Sequence, residues 1–228
     1  MSQPPRRPAL RDIEVLRDEA TTRRPDEGFL HLQRLVLVNL LEDGTRSAPY
    51  PCDLVSRARP DAVAVAVWGR DGAGRVHVVL RENLRPPVWL RQRKAFTQPD
   101  TRTFLLLGEV VAGLLEPEDT GPTGIERRGA IEVAEEVGWR VEPASLQVLG
   151  GPLFASPGFT DEKIHFRHVQ VDLSRAGLPS GDGSIMEQAG QVQVVPLDEA
   201  LERCRSGVMP DMKTEVALAR LAGLLAGR

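Results

Sequence analysis

The sequence predicts an α/β fold, a mixed β-sheet held between helices in a three-layer α/β/α sandwich. Three observations point there. Residues 62–68, A-V-A-V-A-V-W, form an apolar run without a polar face, as in a strand covered on both sides. Residues 125–138 place Ala130, Val133, Ala134 and Val137 on one side of a helical wheel, with Arg128, Glu132, Glu135 and Glu136 roughly opposite. Residues 196–204 and 211–226 read as two further helices.

Taken in order, residues 1–8 are rich in Pro and Arg and read as disordered, and a short helix is expected within 9–19. Alternation and β-branched content predict a strand from Phe29 to Leu41. E-D-G-T (42–45) reads as a turn, with a returning strand to about Val55. This hairpin has little core of its own, so residues 1–57 are set apart from a main domain at 58–228. After the strand at 62–68, R-D-G-A-G-R (70–75) is a turn and 76–83 is the antiparallel partner. Residues 85–96 form a basic, Pro-containing loop, and 103–113 is expected as one strand leading to the helix of 125–138. Gly138 ends that helix, since a left-handed residue after the last turn favours glycine. Strands are expected at about 146–153, 164–172 and 190–195. Pro196 and the acids after it suit a helix start, and Asp211 is the candidate cap of the last helix.

The chain has 228 residues, of which 41% are hydrophobic and 27% charged, so it can bury a real core without staples. A net charge of −3 supplies no bulk basic field to recruit nucleic acid or a membrane surface. Cys52 and Cys204 form no C-x-x-C pattern and read as buried thiols or bystanders. The start has no apolar leader and no apolar run is long enough to span a bilayer, so a cytoplasmic protein is expected. His165 and His168 lie three apart on an expected strand, facing opposite sides, and do not read as one metal site.

The chemistry centres on I-E-V-A-E-E-V-G-W (131–139). On an α-helix Glu132, Glu135 and Glu136 share one face. Three like charges so close repel one another, and a hard divalent cation would turn that cost into a binding site. A solvated acidic face is the plain alternative.

The flanking sequence resembles a known family. E-V-A-E-E-V-G-W matches the second half of the Nudix box, G-x5-E-x7-R-E-U-x-E-E-x-G-U with U apolar. E-V-V-A-G-L-L-E (109–116), S-P-G-F-T-D-E (156–162), M-P-D-M-K-T (209–214) and R-E-N-L-R (81–85) are similar, in order, to segments of the ADP-ribose pyrophosphatase-like subfamily. The resemblance implies a Nudix-type α/β/α sandwich and Mg²⁺-dependent cleavage of a nucleoside diphosphate sugar, with Mn²⁺ as the alternative metal. ADP-ribose would give AMP and ribose 5-phosphate. It also implies a homodimer formed through the N-terminal β unit.

By that resemblance Glu132, Glu136 and the carbonyl of Ala112 would hold the metal, with Gly113 allowing close approach. Glu135 and Glu136 would serve catalysis. Glu162 is the candidate general base or a further metal ligand, and its neighbour Asp161 is easily confused with it. Arg85 is the candidate for gripping substrate phosphate, with Arg81 the alternative. Trp89 and Phe96 could stack on a base or simply cover core.

Two departures stand out. The box arginine is replaced by Ile131, and the run from Gly113 to the E-E-x-G end is about four residues too long. Glu116, Glu118 and Asp119 all remain open as the first-half acid. Arg128, one turn before Glu132, is expected to supply the missing orienting salt bridge. A binding module without turnover and a hydrolase of another nucleotide class are the rival readings.

Overall fold

The structure, a computed structural model, describes Leu16, Arg24 and residues 27–181 and 190–227. The tail at 1–8 and the helix expected at 9–19 lie outside the described residues, apart from Leu16.

An N-terminal two-stranded ribbon comes first, β1 (His31–Leu37) paired antiparallel with β2 (Tyr50–Ser56). β1 is shorter than the expected strand from Phe29 to Leu41. Its chain leaves the ladder before the turn, where Gly44 adopts φ +82° and its N–H donates to the Leu41 carbonyl. The main sheet is built on β3 (Ala62–Arg70), which pairs antiparallel with β4 (Val76–Leu84) and parallel with β9 (Lys163–Gln170). β10 (Val192–Pro196) adds to the far side of β4.

The stretch expected as one strand at 103–113 is two. β5 (Leu106–Glu109) pairs with the end of β4, and β6 (Val111–Leu114) pairs with the start of β3. β3 and β4 therefore part company beyond Val67 and Val79, and the 106–114 segment enters the split. The break falls at Val110, whose N–H donates to the buried Thr214 hydroxyl at 2.9 Å instead of to a strand. A distant helix thus ends one ladder and starts the next.

Residues 85–96 also carry structure. Pro86 opens a short helix, α1 (Pro86–Trp89), followed by a 3₁₀ turn at Leu90–Arg93. Proline at a first helical turn loses no hydrogen bond, which suits this start. The strand expected at 146–153 is two short pieces, β7 (Gln147–Val148) and β8 (Leu153–Phe154). Gly150, at φ +80°, turns the chain between them.

The helices α2 (Gly124–Glu132), α3 (Leu197–Arg205) and α4 (Met212–Ala226) complete the layers. Alternate residues of β3 explain the sandwich, because successive strand side chains point to opposite faces. Val63, Val65 and Val67 pack with Ala130, Val133 and Val137 beneath α2. Ala64, Ala66 and Trp68 pack with Leu201, Leu218 and Leu221 of α3 and α4. The predicted α/β/α class is the one observed. Asp211 caps α4 by accepting the Thr214 N–H at 3.0 Å. Cys52 and Cys204 are both free, and burial pushes the Cys204 thiol up to about 11. Among the described residues no helix is long and apolar enough to cross a membrane.

Candidate active site

The split between β3 and β4 puts one short piece of backbone, Glu109 to Gly113, under the end of α2. Glu136 is buried there, 4% exposed, and its carboxylate accepts the Ala112 N–H at 3.3 Å. Glu132 lies against the next peptide: a Cβ added at Gly113 would collide with its carboxylate. Gly113 is therefore the small residue that close approach demands. Gly113→Ala is expected to displace Glu132 and lower turnover roughly 100-fold, the scale for misplacement by about 1 Å. Steady-state rates of the folded variant check this, and a wild-type rate would contradict it.

After Glu132 the helix widens. Residues Val133–Val137 form a π turn, closed by the Gly138 N–H on the Val133 carbonyl at 3.1 Å. Wider turns bring positions four apart closer to one azimuth and send positions three apart further round, and such turns gather at functional sites. Glu132 and Glu136 accordingly meet the Ala112–Gly113 stretch together. Glu135 does not join them: it lines a groove on another flank of the helix, with Arg127, Ile131 and Ala134. The single acidic face expected of an α-helix is thus divided. Gly138 ends the turn at φ +85°, and a Cβ there would strike the Gly177 carbonyl.

Ile131 is 37% exposed, whereas Arg128 lies beside the first of these acids, Glu132. Its Nε donates to Asp119 at 2.7 Å, and a terminal nitrogen lies 3.8 Å from Glu132. Of the three acids left open by the sequence, the fold buries Asp119 on this arginine. Glu116 pairs instead with Arg59, and Glu118, whose side chain is 71% exposed, reaches Arg128 only at 3.7 Å. Burial raises the Asp119 pKa, but the Glu116 N–H and Arg128 outweigh it and hold the carboxyl below its ordinary range. Asp119 follows Gly113 by the G-x5-acid spacing of the box, with aspartate in place of glutamate. That spacing was the signal for it.

Among the described residues no three His, Cys, Asp or Glu side chains converge on one point. Two carboxylates beside the half-buried Ala112–Gly113 peptide still fit Mg²⁺, which typically takes one or two carboxylates and fills its octahedron with water and substrate phosphate oxygens. The donors are all hard oxygen.

A second charged cluster adjoins the first. Arg85 donates through two nitrogens to both Glu109 oxygens, each at 2.7 Å. The Lys213 ammonium reaches Glu109 at 2.6 Å and Asp211 at 3.0 Å. Burial pushes the Glu109 carboxyl up, yet these two cations outweigh it and hold it low. The pairing with Glu109 raises the Arg85 pKa, and Glu136 and Asp211 also contribute. The Arg85 side chain remains 39% exposed despite this pairing. Arg81 is 9% exposed, opposite Glu109 in the sheet. Sequence reasoning passed over Glu109 and Lys213, although both lie inside the quoted segments E-V-V-A-G-L-L-E and M-P-D-M-K-T.

Glu162 precedes β9 at the same sheet end. Ile164 pairs with Ala62, and Ala62 with Leu114. Its carboxylate is held by Arg57 at 2.6 Å. Trp89 is 5% exposed with the Arg93 guanidinium over its ring, and Arg91 covers Phe96 at 4.1 Å. His165 faces Asp61, whereas His168 is buried and accepts from Trp68 Nε1.

No family model matches the chain. The chain is similar to the GDP-mannose pyrophosphatase of Cronobacter sakazakii (strain ATCC BAA-894), with 32% identity over 164 residues. The match covers 72% of this chain and 74% of that protein.

Proposed function

The chain belongs to the Nudix-type pyrophosphatases, and from that membership we propose that it hydrolyses the diphosphate of a nucleoside diphosphate sugar in a Mg²⁺-dependent reaction. The observation that carries the proposal is the meeting of Glu132 and Glu136 at the Ala112–Gly113 peptide. Water adds across the P–O–P anhydride, one phosphorus keeps the bridging oxygen, and a nucleoside monophosphate and a sugar phosphate leave.

Glu132, Glu136 and the Ala112 carbonyl would hold the metal, which when bound neutralises phosphoryl charge and activates water. Arg128, 3.8 Å from Glu132, would orient it. Arg85, pre-set by Glu109, offers a guanidinium to the diphosphate, whose oxygens match its planar fork. Glu162, on the S-P-G-F-T-D-E loop, takes the proton of the attacking water as general base. Glu135, on the groove side of the π turn, would act from outside the metal's immediate oxygen set.

The motif resemblance favours ADP-ribose, yielding AMP and ribose 5-phosphate. The similarity to a GDP-mannose pyrophosphatase favours GDP-mannose as a second reading, yielding GMP and mannose 1-phosphate. The proposal includes a homodimer through the β1–β2 ribbon, with Val36 exposed on β1 and Phe29, Leu40 and Leu41 exposed in the segments flanking it. Exposed apolar side chains there suit an interaction surface.

A substrate panel with and without Mg²⁺ tests the proposal, with particle mass measured by light scattering. Metal-dependent release of a nucleoside monophosphate from either sugar nucleotide is expected, from a dimer. Tight binding with no turnover would overturn the hydrolase reading, and a monomer would remove the dimer.

A further inference from the structure

We infer that Arg57, in the segment joining the N-terminal ribbon to the main sheet, is a positioning residue for Glu162. The inference rests on the reading of Glu162 as the base.

Three consecutive residues grip the 156–162 loop in sequence order. The Val55 N–H donates to the Phe159 carbonyl at 2.8 Å, with Val55 in a parallel bridge to Thr160. The Ser56 hydroxyl lies 2.9 Å and 2.8 Å from the two Asp161 oxygens, so its one proton is shared between them. Arg57 holds Glu162 at 2.6 Å. The guanidinium is itself fixed, donating through Nε to the Arg59 carbonyl at 3.0 Å and lying over the Phe29 ring. Its side chain is only 16% exposed.

An exposed ion pair between two freely moving side chains does little. Here the cation is anchored on two sides before it meets the acid, so it sets the place of the Glu162 carboxylate. Ser56 likewise ties the Asp161 carboxylate to the end of the ribbon.

The test uses the full chain, Mg²⁺, and whichever of GDP-mannose or ADP-ribose turns over faster. Arg57→Ala is expected to lower kcat about 10- to 100-fold, with KM changed less than about twofold, because placement rather than binding is lost. Arg57→Lys is expected to recover part of the rate, since it keeps the charge but not the planar fork. Arg57→Ala combined with Glu162→Gln is expected to be no slower than Glu162→Gln alone, because the two act as one unit. Hydrogen exchange at residues 156–162 is expected to rise in Arg57→Ala, a readout independent of turnover.

Wild-type kcat in Arg57→Ala beside a slow Glu162→Gln would overturn the positioning role and leave the base intact. A rise in KM alone would make Arg57 a substrate ligand and overturn it too. Wild-type rate in Glu162→Gln would sink the base reading, and this inference with it. Should Arg57→Ala fail to fold, an unchanged kcat in Arg57→Lys together with unchanged exchange at 156–162 overturns the inference.

Discussion

Glu136→Gln is expected to lower kcat by about 10²–10³-fold, since a metal's charge stabilisation of the transition state is worth several kcal/mol and each 1.36 kcal/mol is tenfold. The substitution keeps shape and an oxygen able to accept the Ala112 N–H. It removes the negative charge on which the proposed Mg²⁺ site would depend. The fold should therefore survive while the metal dependence collapses. Rates across a Mg²⁺ titration, beside a thermal melt of the same sample, separate these effects. An unchanged kcat at every metal concentration would remove Glu136 from the metal site.

Glu109→Ala should have the largest effect on stability, a loss of about 3–5 kcal/mol, because removing one partner of a buried ionic cluster leaves the others uncompensated. Glu109 is 1% exposed and accepts from Arg85 twice and from Lys213 once. For a domain of this length the loss corresponds to a melting shift of roughly 6–20 °C. The pH dependence follows from the sign of the shift. Burial raises the Glu109 pKa and the two cations more than reverse it, so the folded value lies below the ordinary 4.5. A depressed carboxyl stabilises the fold above its unfolded pKa, and that contribution fades as pH falls through the folded value. The gap between wild type and Glu109→Gln should thus be full at neutral pH and close progressively below pH 4.5. Denaturation curves over that range check it, and a gap that widened with acid would contradict the charge assignment.

These two residues were not equally visible in the sequence. Glu136 stood inside a motif whose chemistry needs carboxylates, so its type and spacing announced it. Glu109 sat at the edge of a quoted segment with nothing local to mark it as an ionic hub. Its partners come from β4's end and from α4, 104 residues away in the case of Lys213. The main strands were legible for a simple reason. An unbroken apolar run can only be covered on both faces, and β3 is. The break at Val110 was not legible, because it depends on a hydroxyl from α4 reaching one backbone N–H.

The sequence by itself determined the layered class, the principal strands and helices of the main domain, and the oxygen-donor acids of 131–139, because alternation, helical period and residue chemistry are local properties. Only the tertiary structure decided how those acids are divided. The identity of residues 132–136 is compatible with an α or a π turn. In the folded chain the turn is π, with Glu132 and Glu136 at the Ala112–Gly113 peptide and Glu135 lining the groove with Arg127 and Ile131. The same holds for Asp119 over Glu116 and Glu118, and for the Arg57 clamp on Glu162. Each choice is made by a partner far along the chain, and no local pattern encodes where that partner arrives.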